Sequence, residues 1–279
     1  MKKTLWVIAV LFMTLQIQAQ VEETAYANFY QDSTYYIIAD KANIRSKADT
    51  SAKVMGQLSI GEKIKIVEVT NQTYTKNGYT TNWYKVQYTD KETKAEGYIW
   101  GGLIASKTVK STTDKDLYFM YAVNKVIKLE YYDEVYIQVR VCKNHVQLAK
   151  LDMKAVGSIR TYNTAESMGA KGVNGVKDIF KINFSDGYCA GAFGDAYFLW
   201  DGKDLFHVKT LDEGFDAPYS ATNVFIFPTD AKGKKGYIIN KSESGFYGDD
   251  DKYHIEDWER ITYKWNGKGL MIVKTEKKK

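Results

Sequence analysis

The chain has 279 residues, a formal net charge of +5 and 26% charged side chains, which is room for one small and one medium folded unit. The charge is modest, and the tail Lys274-Thr275-Glu276-Lys277-Lys278-Lys279 holds a good share of it. With no basic stripe and no helical reading motif, nucleic acid is not expected as a partner.

Met1-Lys2-Lys3 is basic, Thr4 to Leu15 is apolar apart from two threonines, and Gln16 to Gln20 follows with the small Ala19. That order is the layout of a cleavable secretory signal, and the apolar run is shorter than the roughly 20 residues a spanning helix needs. Residues 1–19 are therefore expected to be a signal peptide. The remainder is expected to be periplasmic or secreted, with no membrane span after cleavage and no cysteine near the cut to carry a lipid. Residues 20–33 read as a polar lead-in.

Only two prolines and 22 tyrosines occur, and valine, isoleucine and threonine are spread throughout, so strands are favoured over helices. The expected fold class is mainly β: a small barrel followed by a second β-rich unit of antiparallel hairpins. Asx-Gly pairs at Asn77-Gly78, Asp186-Gly187, Asp201-Gly202 and Asn266-Gly267 suit tight hairpins, whose central residues need positive φ.

Residues 35–104 carry Tyr35-Tyr36-Ile37-Ile38-Ala39, Ala42-Asn43-Ile44-Arg45-Ser46, Val54-Met55-Gly56-Gln57-Leu58, Ile60-Gly61-Glu62-Lys63-Ile64-Lys65-Ile66, Trp83-Tyr84-Lys85-Val86 and Gly97-Tyr98-Ile99. In this order the segments resemble a bacterial SH3 domain. The resemblance implies a small barrel that holds peptidoglycan peptides or other envelope ligands. Ile44, Ile64, Ile66 and Val86 should be buried, Arg45 should point outward, and Gly56 and Gly61 should serve sharp turns on either side of Leu58. The sequence departs from the family between Val69 and Trp83, where Thr70 to Asn82 should form a long two-stranded ribbon projecting from the barrel. A shorter hairpin is expected with Asp90 to Lys94 at its tip. Ligand contacts in such barrels come largely from exposed aromatics. The candidates are Tyr36, Tyr74, Tyr79, Trp83 and Trp100, with Trp83 and Trp100 placed in a surface groove and Tyr84 and Tyr98 assigned to packing.

Ser106 to Lys115 is polar and threonine-rich, so residues 105–115 read as a linker and residues 116–279 as a second, β-rich domain. Val135 to Val141 alternates apolar and polar residues, as a half-buried strand does. Tyr197 to Val208 and Ile261 to Ile272 share one pattern, an aromatic strand, a Trp-Asx-Gly-Lys turn and an apolar strand. Shared hairpin chemistry explains two copies as well as duplication does, and a propeller-like repeat would need about three units.

Chemistry is sparse. Cys142 and Cys189 leave one bridge and two buried thiols equally open. Asp186-Gly187-Tyr188-Cys189-Ala190-Gly191 faintly resembles the nucleophile stretch of NlpC-type cell-wall cysteine peptidases. Ala190 replaces that family's serine, however, and His207 lies closer to Cys189 than the family's histidine does. The run Asp249-Asp250-Asp251 lacks the alternate spacing of a calcium loop and reads as a hairpin tip. Three histidines and two cysteines show no zinc spacing. Gly169, Gly172 and Gly175 mark a mobile loop rather than a phosphate site, and Asp212 to Phe227 reads as an ordered loop able to line a cleft. No cofactor, no metal and no catalytic residue are expected. The expected function is that of a non-enzymatic envelope protein binding a cell-wall peptide or an envelope protein partner. A wall hydrolase using Cys189 and an envelope assembly or scaffold protein are the alternatives.

Overall fold

The structure is a computed structural model that describes residues 24–26, 28–185 and 193–278. The segment expected to be a signal peptide and Cys189 with its surrounding string lie outside the described residues. Among those described there is no α-helix. Helical geometry is confined to a 3-10 turn at Gly101–Leu103, and no helix is long and apolar enough to cross a membrane.

The first described strand is not part of the barrel: β1 (Thr24–Ala25) is the outer strand of the nine-stranded sheet, and Tyr26 is fully buried beside it. The barrel follows as β2 (Thr34–Tyr36), β3 (Lys41–Arg45), β4 (Val54–Ser59), β5 (Lys63–Lys76), β6 (Tyr79–Asp90) and β7 (Thr93–Trp100), in sheet order β2-β5-β6-β7-β3-β4. Its core holds Ile44, Ile64, Ile66 and Val86, as the alternation with lysines requires. Arg45 points outward, and its Nη1 donates to the Ala52 carbonyl at 2.7 Å. Gly61 has φ +78 and does serve a turn. Gly56 does not: it lies inside β4, where a Cβ would come within 2.6 Å of the Tyr88 hydroxyl, so its small size makes room for a ring.

The stretch expected to be a linker is instead built into a sheet. Lys107–Lys110 is β8, paired antiparallel with β9 (Leu117–Lys128), and β10 (Asp133–Lys143) and β11 (Val146–Lys154) complete a four-stranded sheet in the order β11-β10-β9-β8. The polar residues after β8 are fastened too. Fully buried Asp178 accepts hydrogen bonds from Ser111 Oγ at 2.5 Å, Ser167 Oγ at 2.7 Å and the Gly169 N–H at 2.9 Å. A buried carboxylate needs such donors to offset lost hydration.

The rest of the chain is one antiparallel meander: β12 (Tyr162–Ser167), β13 (Asp178–Ser185), β14 (Phe193–Trp200), β15 (Leu205–Asp216), β16 (Tyr219–Ile226), β17 (Ile238–Tyr247), β18 (Tyr253–Trp265) and β19 (Leu270–Lys277), each paired with the next and β12 also with β1. The four-stranded sheet lies between barrel and meander. On one face Val135, Ile137, Val139, Val141, Phe119 and Tyr121 join Phe180, Phe184 and Phe198 of the meander, with the Phe119 and Phe180 rings stacked 5.1 Å apart. On the other, Met120, Ala122 and Cys142 join Ile38, Ile60 and Ala105 of the barrel. The expectation of a half-buried β10 is therefore corrected, since Gln138 and Arg140 on its polar face are buried as well. Arg140 remains charged there because Nε donates to Gln138 Oε1 at 2.8 Å and Nη1 to Asp40 Oδ1 of the barrel at 2.7 Å.

A third core forms where the meander folds on itself. β15 pairs with β14 from Leu205 to Glu213 but with β16 only from Gly214 to Asp216. Beyond that short contact, Tyr197 and Leu199 pack on Phe225 and Phe227, with the Tyr197 and Phe225 rings 5.0 Å apart. The segment Asp212 to Phe227 is thus mostly a hairpin rather than a loop. The glycine-spaced stretch is anchored by buried Val173 and Val176 and by the Met168 N–H bonded to the Ile179 carbonyl at 2.8 Å, so it is not a mobile loop. Asp249 to Asp251 do sit at the β17–β18 tip, and no group of three or more metal-ligating side chains occurs among the described residues.

The two similar hairpins share their local structure. Asp201 Oδ1 accepts the N–H groups of Lys203 and Asp204, both at 2.7 Å, and Asn266 Oδ1 accepts those of Lys268 and Gly269 at 2.9 and 2.8 Å. Each hairpin then bulges, one passing over Val208 and the other over Val273. Both lie in the same meander, not in separate blades. Four-residue turns replace the expected two-residue ones, whereas paired positive φ angles occur at Asn77-Gly78, Lys91-Glu92 and Asn144-His145.

Candidate functional site

The ribbon forms as expected, β5 and β6 running past the barrel to the Asn77-Gly78 turn, but its tip is not free. The Val126 N–H of β9 donates to the Asn77 carbonyl at 3.0 Å, and Asn77 Nδ2 donates to the Asn124 carbonyl at 3.3 Å. This docking decides the fate of the candidate aromatics. Tyr79, Trp83 and Trp100 are 3%, 4% and 7% exposed and belong to the core shared with the central sheet. Trp83 and Trp100 are cross-strand partners, so the groove placement expected for them is corrected: both are packing residues in this conformation. Trp100 Nε1 donates to the Tyr74 carbonyl at 2.9 Å, and the Tyr74 ring meets Trp100 edge-on at 5.3 Å. Tyr74 keeps part of its surface in solvent, while Tyr84 is buried and Tyr98 half-buried.

Tyr36 has a different setting. It stands at the seam where the barrel meets the central sheet, its ring 5.7 Å from Tyr118 of β9 and beneath Lys63 Nζ, also at 5.7 Å. β2 supplies Tyr36, the β4–β5 turn supplies Glu62 and the first residue of β5 is Lys63. The start of β9 supplies Tyr118, and the tight Asn144-His145 turn between β10 and β11 closes the far side. The result is an open cleft of 400 Å³, with Asp116 at its rim and Cys142 at its floor. Its walls thus combine two neighbouring tyrosine rings tilted by 36°, two carboxylates, a lysine and an imidazole.

Cys142 and His145 invite comparison with a thiol–imidazole pair, and the geometry argues against it. The Cys142 thiol points to the Ile60 carbonyl at 3.7 Å, and His145 Nδ1 lies 3.3 Å from that same oxygen rather than on sulfur. Burial pushes the thiol above its ordinary pKa, the reverse of what a nucleophilic cysteine needs. Cys142 forms no disulfide among the described residues, and the possible bridge to Cys189 lies outside them.

Of the five candidate aromatics only Tyr36 lines this cleft. Its partners Tyr118, Asp116 and His145 lie some 80 to 110 positions along the chain, in a sheet whose contact with the barrel no local pattern announces. Alternation does place Tyr118 on the same face of β9 as Met120, which is the one signal that could have found it.

Residues 40–105 match the family model described as Bacterial SH3 domain. No curated protein and no solved structure matches the chain.

Proposed function

We propose that a bacterial SH3 domain at residues 40–105 serves here as the ligand-holding part of a non-enzymatic, exported cell-envelope protein, periplasmic or secreted. Domains of this family are commonly cell-wall or peptidoglycan-binding modules, and the ligand we assign is a peptidoglycan stem peptide. The observation that supports it is the Tyr36–Tyr118 cleft. Its tyrosine wall offers flat contact area at small entropic cost, while Glu62 and Asp116 suit ammonium groups and Lys63 and His145 suit carboxylates. A short zwitterionic peptide presents both kinds of group.

The test is calorimetric titration of a soluble stem tetrapeptide into residues 20–279, beside co-sedimentation with isolated sacculi. Lys63→Glu and Tyr118→Ala should each weaken binding about tenfold or more while the melting transition stays cooperative. A folded parent that binds neither probe would remove the wall peptide.

The same structure supports a second reading, that of an assembly or scaffold protein. Trp83, Trp100 and the ribbon tip are committed to the chain's own sheets, leaving less of the barrel free for ligands. Failure of both wall probes would favour it, with the search moving to envelope proteins as partners. A hydrolase reading rests on Cys189, and Cys189→Ala with retained fold and lost wall-degrading activity would revive it.

A further inference from the structure

At the opposite end of the same seam lies a second cleft, of 470 Å³, whose lining is cationic. Lys41 comes from β3, Lys76 from the ribbon, Arg140 from β10 and Lys150 from β11, and the one carboxylate among the lining residues is Asp40. Two lysines elsewhere on the central sheet are matched by carboxylates: Lys143 contacts Asp114 and Lys154 contacts Glu134, both at 2.6 Å. Lys41 and Lys76 form no ion pair among the described residues, and Lys150 reaches Asp152 only at 3.9 Å.

The floor is built rather than incidental. The Arg140 side chain is 9% exposed and fixed by Asp40 on one side and Gln138 on the other. With Gln138 Oε1 committed to Arg140, its amide nitrogen remains a donor. Arg140 cannot retract into water, because β10 is covered on both faces. Burial lowers its affinity for the proton, a cost that a nearby anion relieves.

We infer that this cleft is a binding site for an anionic oxygen group of at least two charges, a phosphate or a pair of carboxylates, held by Lys41, Lys76 and Lys150 above Arg140. Clustered cations on a low-dielectric wall attract such a group more strongly than dispersed surface lysines do, and they attract it only weakly if the ligand is monovalent. Two sources of the group share this chemistry: phosphate esters of envelope polymers and the side-chain carboxylates of acidic peptides.

The experiment uses residues 20–279 at constant ionic strength, with inorganic phosphate, a triglutamate peptide and chloride as three probes, read by amide chemical shifts. Saturable shifts at Lys76, Asn124 and Arg140 with phosphate or triglutamate, and none with chloride, are expected. Whichever of the two saturates at lower concentration identifies the source. Lys41→Gln with Lys76→Gln, both on exposed side chains, should weaken binding about tenfold or more. Lys63→Gln, in the tyrosine cleft, should leave it unchanged. Shifts that rise equally with all three anions, or that survive the double substitution, would overturn the assignment. Because the probes differ from the stem peptide, this result and that of the tyrosine cleft stand or fall separately.

Discussion

Val126 donates its backbone N–H to the carbonyl of Asn77 at 3.0 Å, and this bond joins the tip of the barrel's ribbon to the central sheet. The neighbouring Gly78 has φ +75, and a Cβ there would stand 2.1 Å from the Val126 carbonyl oxygen, with only backbone to give way. Gly78→Ala should therefore destabilise the protein by about 2–3 kcal/mol, combining the cost of a left-handed alanine with the loss of the docked tip. Asn77→Ala, which removes one side-chain bond to the Asn124 carbonyl and puts alanine at φ +52, should cost about 1–2 kcal/mol. Urea unfolding of both variants measures the difference. A Gly78→Ala midpoint equal to the parent's would mean the ribbon is not docked in solution.

The buried pair Trp83 and Trp100 makes an opposite forecast from that of a surface groove. Each should cost about 3–5 kcal/mol when replaced by alanine, as large aromatic truncations in cores do. Any loss of sacculus binding in these variants should then follow their loss of fold. Thermal melts run beside co-sedimentation decide it: an unchanged melt with lost binding would return Trp83 and Trp100 to the ligand surface.

These two residues also mark the limit of what the sequence discloses. The barrel was legible because its signal is local: Ile44, Ile64, Ile66 and Val86 alternate within strands, and Gly61 turns the chain where a positive φ is required. The ribbon was legible from Asn77-Gly78. Its docking was not, because exposure of Trp83 depends on what lies against β6, and Leu117 to Val141 carry no mark of the surface they meet. The same holds for β10, where Gln138 and Arg140 have the pattern of a solvated face and become buried only because the barrel covers them. Ser106 to Lys115 misleads in the same way. Its threonines and serines satisfy a strand edge and the buried Asp178, and their polarity is not that of a free joint. Half of the tyrosine cleft was in view as Tyr36, and the other half is a product of tertiary contact.

The Cys142 thiol gives a chemical check on the same contact. Its sulfur is held against Ile60 of the barrel, and a Cβ on Gly61 would approach it to 2.9 Å. In a Cys189→Ser background, Cys142 should be unreactive toward a thiol-specific disulfide reagent in the native state and should react fully in denaturant. Burial hides the sulfur from the reagent, and the raised thiol pKa leaves less of the nucleophilic thiolate near neutral pH. Rapid labelling without denaturant would show that the barrel separates readily from the central sheet.

His207 carries a pH dependence of predictable sign. Its ring lies 5.2 Å from that of Phe198, and Nε2 is 3.0 Å from Thr210 Oγ1 at the edge of the β14–β15 hairpin. Packing on Phe198 desolvates part of the ring and holds the imidazole below its ordinary pKa of 6.5, against a smaller opposing contribution at Lys209; because the side chain is otherwise exposed, solvent screening keeps the effect on stability small. The native state consequently binds fewer protons at this site than the unfolded chain does. The stabilisation from neutral His207 is fully present above about pH 6.5 and is lost as pH falls through the lower, folded value. His207→Gln should therefore flatten the fall in stability between about pH 7 and 5 relative to the parent. Thermal melts of the two proteins across that range, with the imidazole titration followed by NMR, measure it. A His207 that titrates above 6.5 would show that Phe198 does not desolvate the ring in solution.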